Sequence, residues 1–157
     1  MPRGPPQKER IAVRYFVLAA MALTVVATSS VAAKDIKVQM KNRGAAGSMV
    51  FEPSLIQASP GDTVTFVPTN PSHNAQTIDG FLPDGVAPTK GAMNKPVTLR
   101  VSKPGLYGIE CQPHFGLGMV ALVKVGTGAS PNLAKAKLFK LPPLAQKRMA
   151  PMLAAAR

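Results

Sequence analysis

The chain has one cysteine, two histidines, no tryptophan and two tyrosines in 157 residues. A single thiol excludes an intrachain disulfide and any multi-cysteine zinc or iron–sulfur site. With His73 and His114 the only imidazoles, a metal centre would have to be assembled from very few donors. Acidic side chains are scarce too: seven Asp and Glu face 19 Lys and Arg, a formal net charge of +12. Aromatics make up 5% of the chain, and no basic run is interleaved with them, which argues against a nucleic-acid surface. Sixteen prolines and 13 glycines without a fixed period exclude coiled coils, long helical bundles and collagen-like repeats. The length allows one compact domain and a smaller addition.

The charge is unevenly placed. Arg3, Lys8, Arg10 and Arg14 precede an apolar run at 15–27, and small residues follow at Val31 and Ala33. This order is that of a secretory signal peptide cleaved after Ala33. The apolar run is shorter than the roughly 20 residues that span a bilayer, so no membrane association is expected after cleavage. Residues 1–33 are therefore expected to be a leader, 34–125 a domain and 126–157 an extension. The extension holds Lys135, Lys137, Lys140, Lys147, Arg148 and Arg157 and no acid. What remains in 34–125 is mildly basic, which suits an acidic protein partner better than a polyanion.

Between Lys34 and Val125 short strands alternate with turn signals. Strands are expected at 35–41, 49–52, 55–58, 63–67, 97–101, 106–111 and 119–125. In 63–67, Val64 and Phe66 share one face and Thr63 and Thr65 the other; Val97, Leu99 and Val101 repeat the period of two. Ser-Pro-Gly-Asp at 59–62 and Lys-Pro-Gly at 103–105 supply turns. The fold class this predicts is all-β, a sandwich or small barrel. After Val125 the pattern changes. Ser130 and Pro131 offer an N-cap and a first helical position, with Leu133, Ala136 and Phe139 on one face. A second helix is expected after Pro142 and Pro143, with Leu144, Met149, Met152 and Leu153 apolar. Both are too short to stand alone in water and are expected to pack on the sandwich.

The chemistry concentrates at 110–119. Cys111 is followed by His114 and Met119 within one tight loop, and the other histidine, His73, lies in Ser-His-Asn upstream. One thiolate, two imidazoles and a thioether suit copper, because soft sulfur ligands favour Cu(I) and imidazole serves both copper states. Zinc has little use for a thioether. Each residue alone has an ordinary structural reading: a buried small hydrophobe for Cys111, a core side chain for Met119, a hydrogen-bonded loop residue for His73. Their coincidence on one spacing carries the argument. An odd thiol in an oxidising compartment also calls for something to occupy it. A Cys111–His114 nucleophilic enzyme is disfavoured, since no orienting Asn or Asp is apparent, and no enzyme activity is expected. A copper-delivery protein is the alternative; scattered Met40, Met49 and Met93 speak mildly against it.

Cys-x-x-His-x-x-x-x-Met with an upstream Ser-His-Asn resembles the type 1 copper site of cupredoxins. The two expected helices, Met-Val-Phe-Glu-Pro at 49–53, Pro-Gly-Asp at 60–62 and Gly-Met-Val-Ala-Leu-Val at 118–123 resemble the pseudoazurins in particular. The resemblance implies a Greek-key β-sandwich with a two-helix extension and one copper ion. It implies His73, Cys111 and His114 as equatorial ligands and Met119 as a weak axial one. It implies, further, that the Asn74 amide donates to the Cys111 sulfur and that Met49 and Pro113 stand near the centre. Phe115, Leu117, Arg43 and Lys90 would belong to a docking surface around His114. The partners it implies are a denitrification enzyme such as nitrite reductase as acceptor and a cytochrome as donor, met by a periplasmic monomer. Glu110 departs from the basic residue many relatives carry before the cysteine, which removes steering charge from that side.

Overall fold

The computed structural model describes residues 32–156; the expected leader lies outside the described residues except for its last two positions. Eight strands form two four-stranded sheets. The first holds β1 (Asp35–Gly44), β2 (Gly47–Glu52), β4 (Thr63–Pro68) and β6 (Val97–Arg100), in the order β2-β1-β4-β6. The second holds β3 (Leu55–Ala58), β5 (Gln76–Thr77), β7 (Gly105–Glu110) and β8 (Val120–Val125), in the order β3-β8-β7-β5. The β1–β4 and β3–β8 pairs are parallel and the other pairs antiparallel. The fold is the expected cupredoxin-like sandwich.

Alternation along β4 buries Val64 and Phe66, and the parallel register sets them beside Ile36 and Val38 of β1. Facing them from the second sheet are Ile56, Tyr107, Ile109, Ala121 and Val123. Each large side chain so buried contributes about 1.5–3 kcal/mol. The ring of Phe51 meets Phe66 edge-on at 5.4 Å between centroids. Cys111 and Met119 belong to the same packed cluster, so the sulfur donors sit at the end of the core rather than on a free loop.

The second sheet is covered on its other face as well. Leu106, Val120 and Leu122 pack against Ala145, Met149, Met152 and Leu153 of the C-terminal helices. This is why β8 is buried at every position and does not alternate. The helices are α1 (Leu133–Leu138) and α2 (Pro143–Ala155). Met149, Met152 and Leu153 are buried as expected. Leu144 is not: it is 49% exposed, and Ala145 takes the inward place. Ser130 does not cap α1, which begins after Asn132 with no side-chain cap. The Asn132 side chain instead bridges β7, accepting from the Leu106 N–H (2.9 Å) and donating to the Leu106 C=O (2.8 Å). The short polar strand β5 has no periodicity long enough to be read in the sequence. Among the described residues no helix is long and apolar enough to cross a membrane.

Candidate metal centre

β7 and β8 are antiparallel neighbours, and the 3₁₀ turn Gln112–Leu117 joins them. That connection closes on itself. The Cys111 N–H donates to the Met119 C=O (3.0 Å), the Met119 N–H to the His114 C=O (3.1 Å) and the His114 N–H to the Cys111 C=O (3.0 Å). Three of the four sulfur- and nitrogen-bearing residues thus come from one backbone ring whose spacing is fixed by its own hydrogen bonds. Gly118, at φ +83°, makes the left-handed turn that lets the chain leave the 3₁₀ turn and enter β8.

His73 arrives from the loop between β4 and β5. Its C=O accepts from the Asn94 N–H (2.8 Å), and the Gly91 N–H donates to the Ala75 C=O (2.9 Å), so two loop segments are stitched together around it. Asn74 ties this loop to the cysteine loop: its Oδ1 accepts from the Gln112 N–H at 2.8 Å, and its Nδ2 donates to the Gly91 C=O at 3.2 Å.

The donor atoms meet. Nδ1 of His73 lies 3.7 Å from the Cys111 sulfur, Nδ1 of His114 lies 3.5 Å from it, and the two Nδ1 atoms are 3.2 Å apart. All three ligand atoms fall within 4.8 Å of one another. His73, Cys111 and Met119 are fully buried, and His114 is partly exposed. The imidazoles stand edge to face, with centroids 4.9 Å apart.

The Nε2–H of His73 donates to Asn42 Oδ1 at 2.8 Å. That bond leaves the Nδ1 lone pair turned toward Cys111, the tautomer a metal requires. Burial, and after it the neighbouring His114, lowers the His73 pKa below its usual 6.5. Burial likewise pushes the Cys111 thiol above 9.0; backbone hydrogen bonds from Asn74 and His114 oppose this, and Glu110 adds to it. Both shifts disfavour charge on the isolated donors, and a cation among them reverses that balance. Two imidazole nitrogens, a thiolate and an adjoining thioether make a donor set that fits copper.

The remaining expected residues are spread around this cluster. Met49 is half-buried at φ +50° and packs on the cluster that holds Cys111 and Met119. Pro113 is exposed in the 3₁₀ turn, and Leu117 is 52% exposed. Phe115 packs partly against the helical cluster. Arg43 and Lys90 are exposed on β1 and beside β5. Glu110 is half-buried and accepts from Gln76 Nε2 at 2.7 Å; burial raises its pKa above 4.5. Asn42 and Arg148 escaped the sequence reading. Neither sits in a motif, and only the pairing of β1 with its neighbours and the packing of α2 bring them here.

Residues 38–126 match the copper binding proteins of the plastocyanin/azurin family. The chain is 50% identical over 131 residues to the pseudoazurin of Paracoccus pantotrophus, covering 83% of this chain and 89% of that protein. It is 40% identical over 136 residues to the pseudoazurin of Methylorubrum extorquens, covering 87% and 91%. Its fold superposes on the crystal structure of pseudoazurin from Methylobacterium extorquens AM1 with a TM-score of 0.75 at 41% identity, over 78% of this chain and 99% of that one. With native pseudoazurin from Hyphomicrobium denitrificans the TM-score is 0.73 at 44% identity, over 77% and 97%. Together with the His73–Cys111–His114 cluster and Met119 beside it, these likenesses assign the cofactor as copper: the chain belongs to the plastocyanin/azurin family of copper-binding proteins and, within it, to the pseudoazurins, which are type 1 copper electron carriers.

Proposed function

We propose that this protein is a periplasmic one-electron carrier that passes electrons from a cytochrome to a denitrification reductase such as nitrite reductase. The observation that carries the reading is the convergence of two imidazole Nδ1 atoms and one thiol within 4.8 Å, the thiol and the His114 imidazole on a backbone ring closed by its own hydrogen bonds. His73, Cys111 and His114 would hold the metal, with the Met119 thioether as a weaker further ligand. Copper held there supplies a one-electron Cu(II)/Cu(I) couple.

The chain's own residues do the rest. Asn42 holds the His73 tautomer, and the ring from Cys111 to Met119 keeps the donors in place when the metal charge changes. Partly exposed His114 offers the short route to a partner, with Leu117 and Pro113 as the apolar rim beside it. Arg43 and Lys90, both exposed, add positive charge for an acidic partner. Export is supported by the basic, apolar and small-residue order of 1–33. Strand β1 begins at Asp35, so cleavage after Ala33 leaves every strand whole. Copper delivery is the weaker reading: of the scattered Met40, Met49 and Met93, the first is in the core and the second half-buried, so Met93 alone of the three is exposed and no exposed methionine cluster is formed by them.

Stopped-flow reduction of a copper nitrite reductase by the copper(I)-loaded protein tests the proposal. The rate is expected to fall as salt rises, because docking is charge-assisted, and to drop further in Leu117→Asp. A reductase that takes no electrons, or a rate indifferent to both salt and Leu117, would count against this partner.

A further inference from the structure

Arg148 lies on the face of α2 that meets the sandwich, half-buried. Its Nη1 donates to the Met49 C=O at 2.7 Å and to the Gly118 C=O at 2.9 Å, and its Nη2 donates to the Ser48 C=O at 2.8 Å. Three carbonyls from two chain segments that lie some 70 residues apart in sequence are thus gathered by one side chain from a third. Among the described residues no carboxylate is within ion-pair distance of it. Its charge is met by backbone oxygens.

Both segments flank the metal centre. Gly118 directly precedes Met119 and stands at φ +83°; a Cβ there would lie 3.0 Å from the Leu144 carbonyl oxygen and 3.2 Å from Arg148 Cδ. The helix therefore rests on the backbone of the loop at this residue. Met49 stands at φ +50°, a conformation that non-glycine residues rarely hold, and its side chain packs on the cluster containing Cys111 and Met119. The guanidinium grips the carbonyls of Ser48 and Met49, which bracket that residue's left-handed backbone. A rigid planar fork with several donors can satisfy three oxygens at once; a lysine ammonium on a flexible stem cannot reproduce the arrangement.

We infer that Arg148 is a positioning residue for the copper centre. It locks the Gly118–Met119 backbone against β2 at Met49 and so fixes where the Met119 thioether stands relative to Cys111 and the two histidines. The C-terminal helices then serve the site as well as the fold. This inference rests on the copper-carrier reading and names the device that sets its axial contact.

The test uses the full mature chain and four proteins: wild type, Arg148→Lys, Arg148→Gln and Lys147→Gln. Lys147 supplies a like charge one residue away and makes none of these carbonyl contacts, so its variant separates loss of charge from loss of the clasp. In the metal-free proteins the amide NMR signals of Met119 and Val50, whose peptide carbonyls belong to Gly118 and Met49, are read directly. In the Cu(II) forms the ratio of the two thiolate charge-transfer bands is read. Both Arg148 variants are expected to shift the two amide signals and to move the band ratio in one direction, Gln further than Lys, while Lys147→Gln matches wild type. If Arg148→Gln fails to fold, Arg148→Lys carries the same comparison. Amide shifts and band ratios equal to wild type in a folded Arg148 variant would overturn the inference, as would an equal change in Lys147→Gln. A wild-type protein without charge-transfer bands would instead defeat the copper-carrier reading, and the metal-free amide signals would still judge the clasp.

Discussion

The Nε2–H of His73 donates to Asn42 Oδ1 at 2.8 Å, while Nδ1 of the same ring faces the Cys111 sulfur at 3.7 Å. The two distances describe one device: the far nitrogen keeps its proton so that the near nitrogen keeps its lone pair. Asn42 lies on β1 and His73 in the loop after β4, and the parallel pairing of β1 with β4 brings them together. Replacing Asn42 with Ala leaves the ring free to turn or change tautomer. Copper affinity is expected to fall about 10- to 100-fold, with little change in thermal unfolding of the metal-free protein. Competition with a chelator of known affinity measures the first quantity and calorimetry the second.

The cluster of donors was legible in the sequence because its residue types are rare in this chain. One cysteine and two histidines leave few ways to build a site, and the Cys111–His114–Met119 spacing falls on a single turn between two apolar strands. Strand β4 was readable for a different reason: with one buried face, Val64 and Phe66 alternate with Thr63 and Thr65. β8 was readable only as an apolar run, since the helices cover its second face. The N-cap that Ser130 offers locally is not used, because α1 starts after Asn132, whose side chain tertiary packing has recruited to β7. Asn42 and Arg148 could not have been found in the same way. Their partners, an imidazole nitrogen for Asn42 and backbone carbonyls for Arg148, are made neighbours by sheet pairing and helix docking, and a hydrogen bond across 31 or 99 residues leaves no local periodicity.

Gly118 combines a left-handed backbone with a crowded position against Leu144. Gly118→Ala is expected to lower the unfolding free energy by about 1–3 kcal/mol from backbone strain, with the contact to the Leu144 oxygen adding to the loss. Gly116 sits in the same turn, and a Cβ there meets nothing within 4 Å, so Gly116→Ala is expected to be close to neutral. Denaturant unfolding of the two metal-free variants makes the comparison.

Asp62 is buried and accepts from the Lys34 N–H and the Ser59 N–H, both at 2.8 Å. These two bonds, the first the larger, hold its carboxyl below the ordinary 3.8 despite the opposing effect of burial. A depressed folded-state pKa means that the stabilisation is complete above the unfolded-state value and is lost as pH falls through the folded-state value. Asp62→Asn is therefore expected to be less stable than wild type near neutral pH. The two proteins should converge as acid protonates the carboxylate, below pH 3.8. Thermal unfolding of both proteins across an acid pH series checks the sign; a gap that stays constant or widens in acid would contradict it.

Cys111, with His73, His114 and Met119, is expected to hold copper as a reversible one-electron centre. Titration of the purified mature protein with Cu(II), followed by visible absorption beside a Cys111→Ser variant, addresses it most directly. An intense blue or green band is expected that saturates at one equivalent, bleaches with ascorbate, returns on oxidation and is absent from the variant. A colourless metal-bound protein, or a band that survives loss of Cys111, would contradict it.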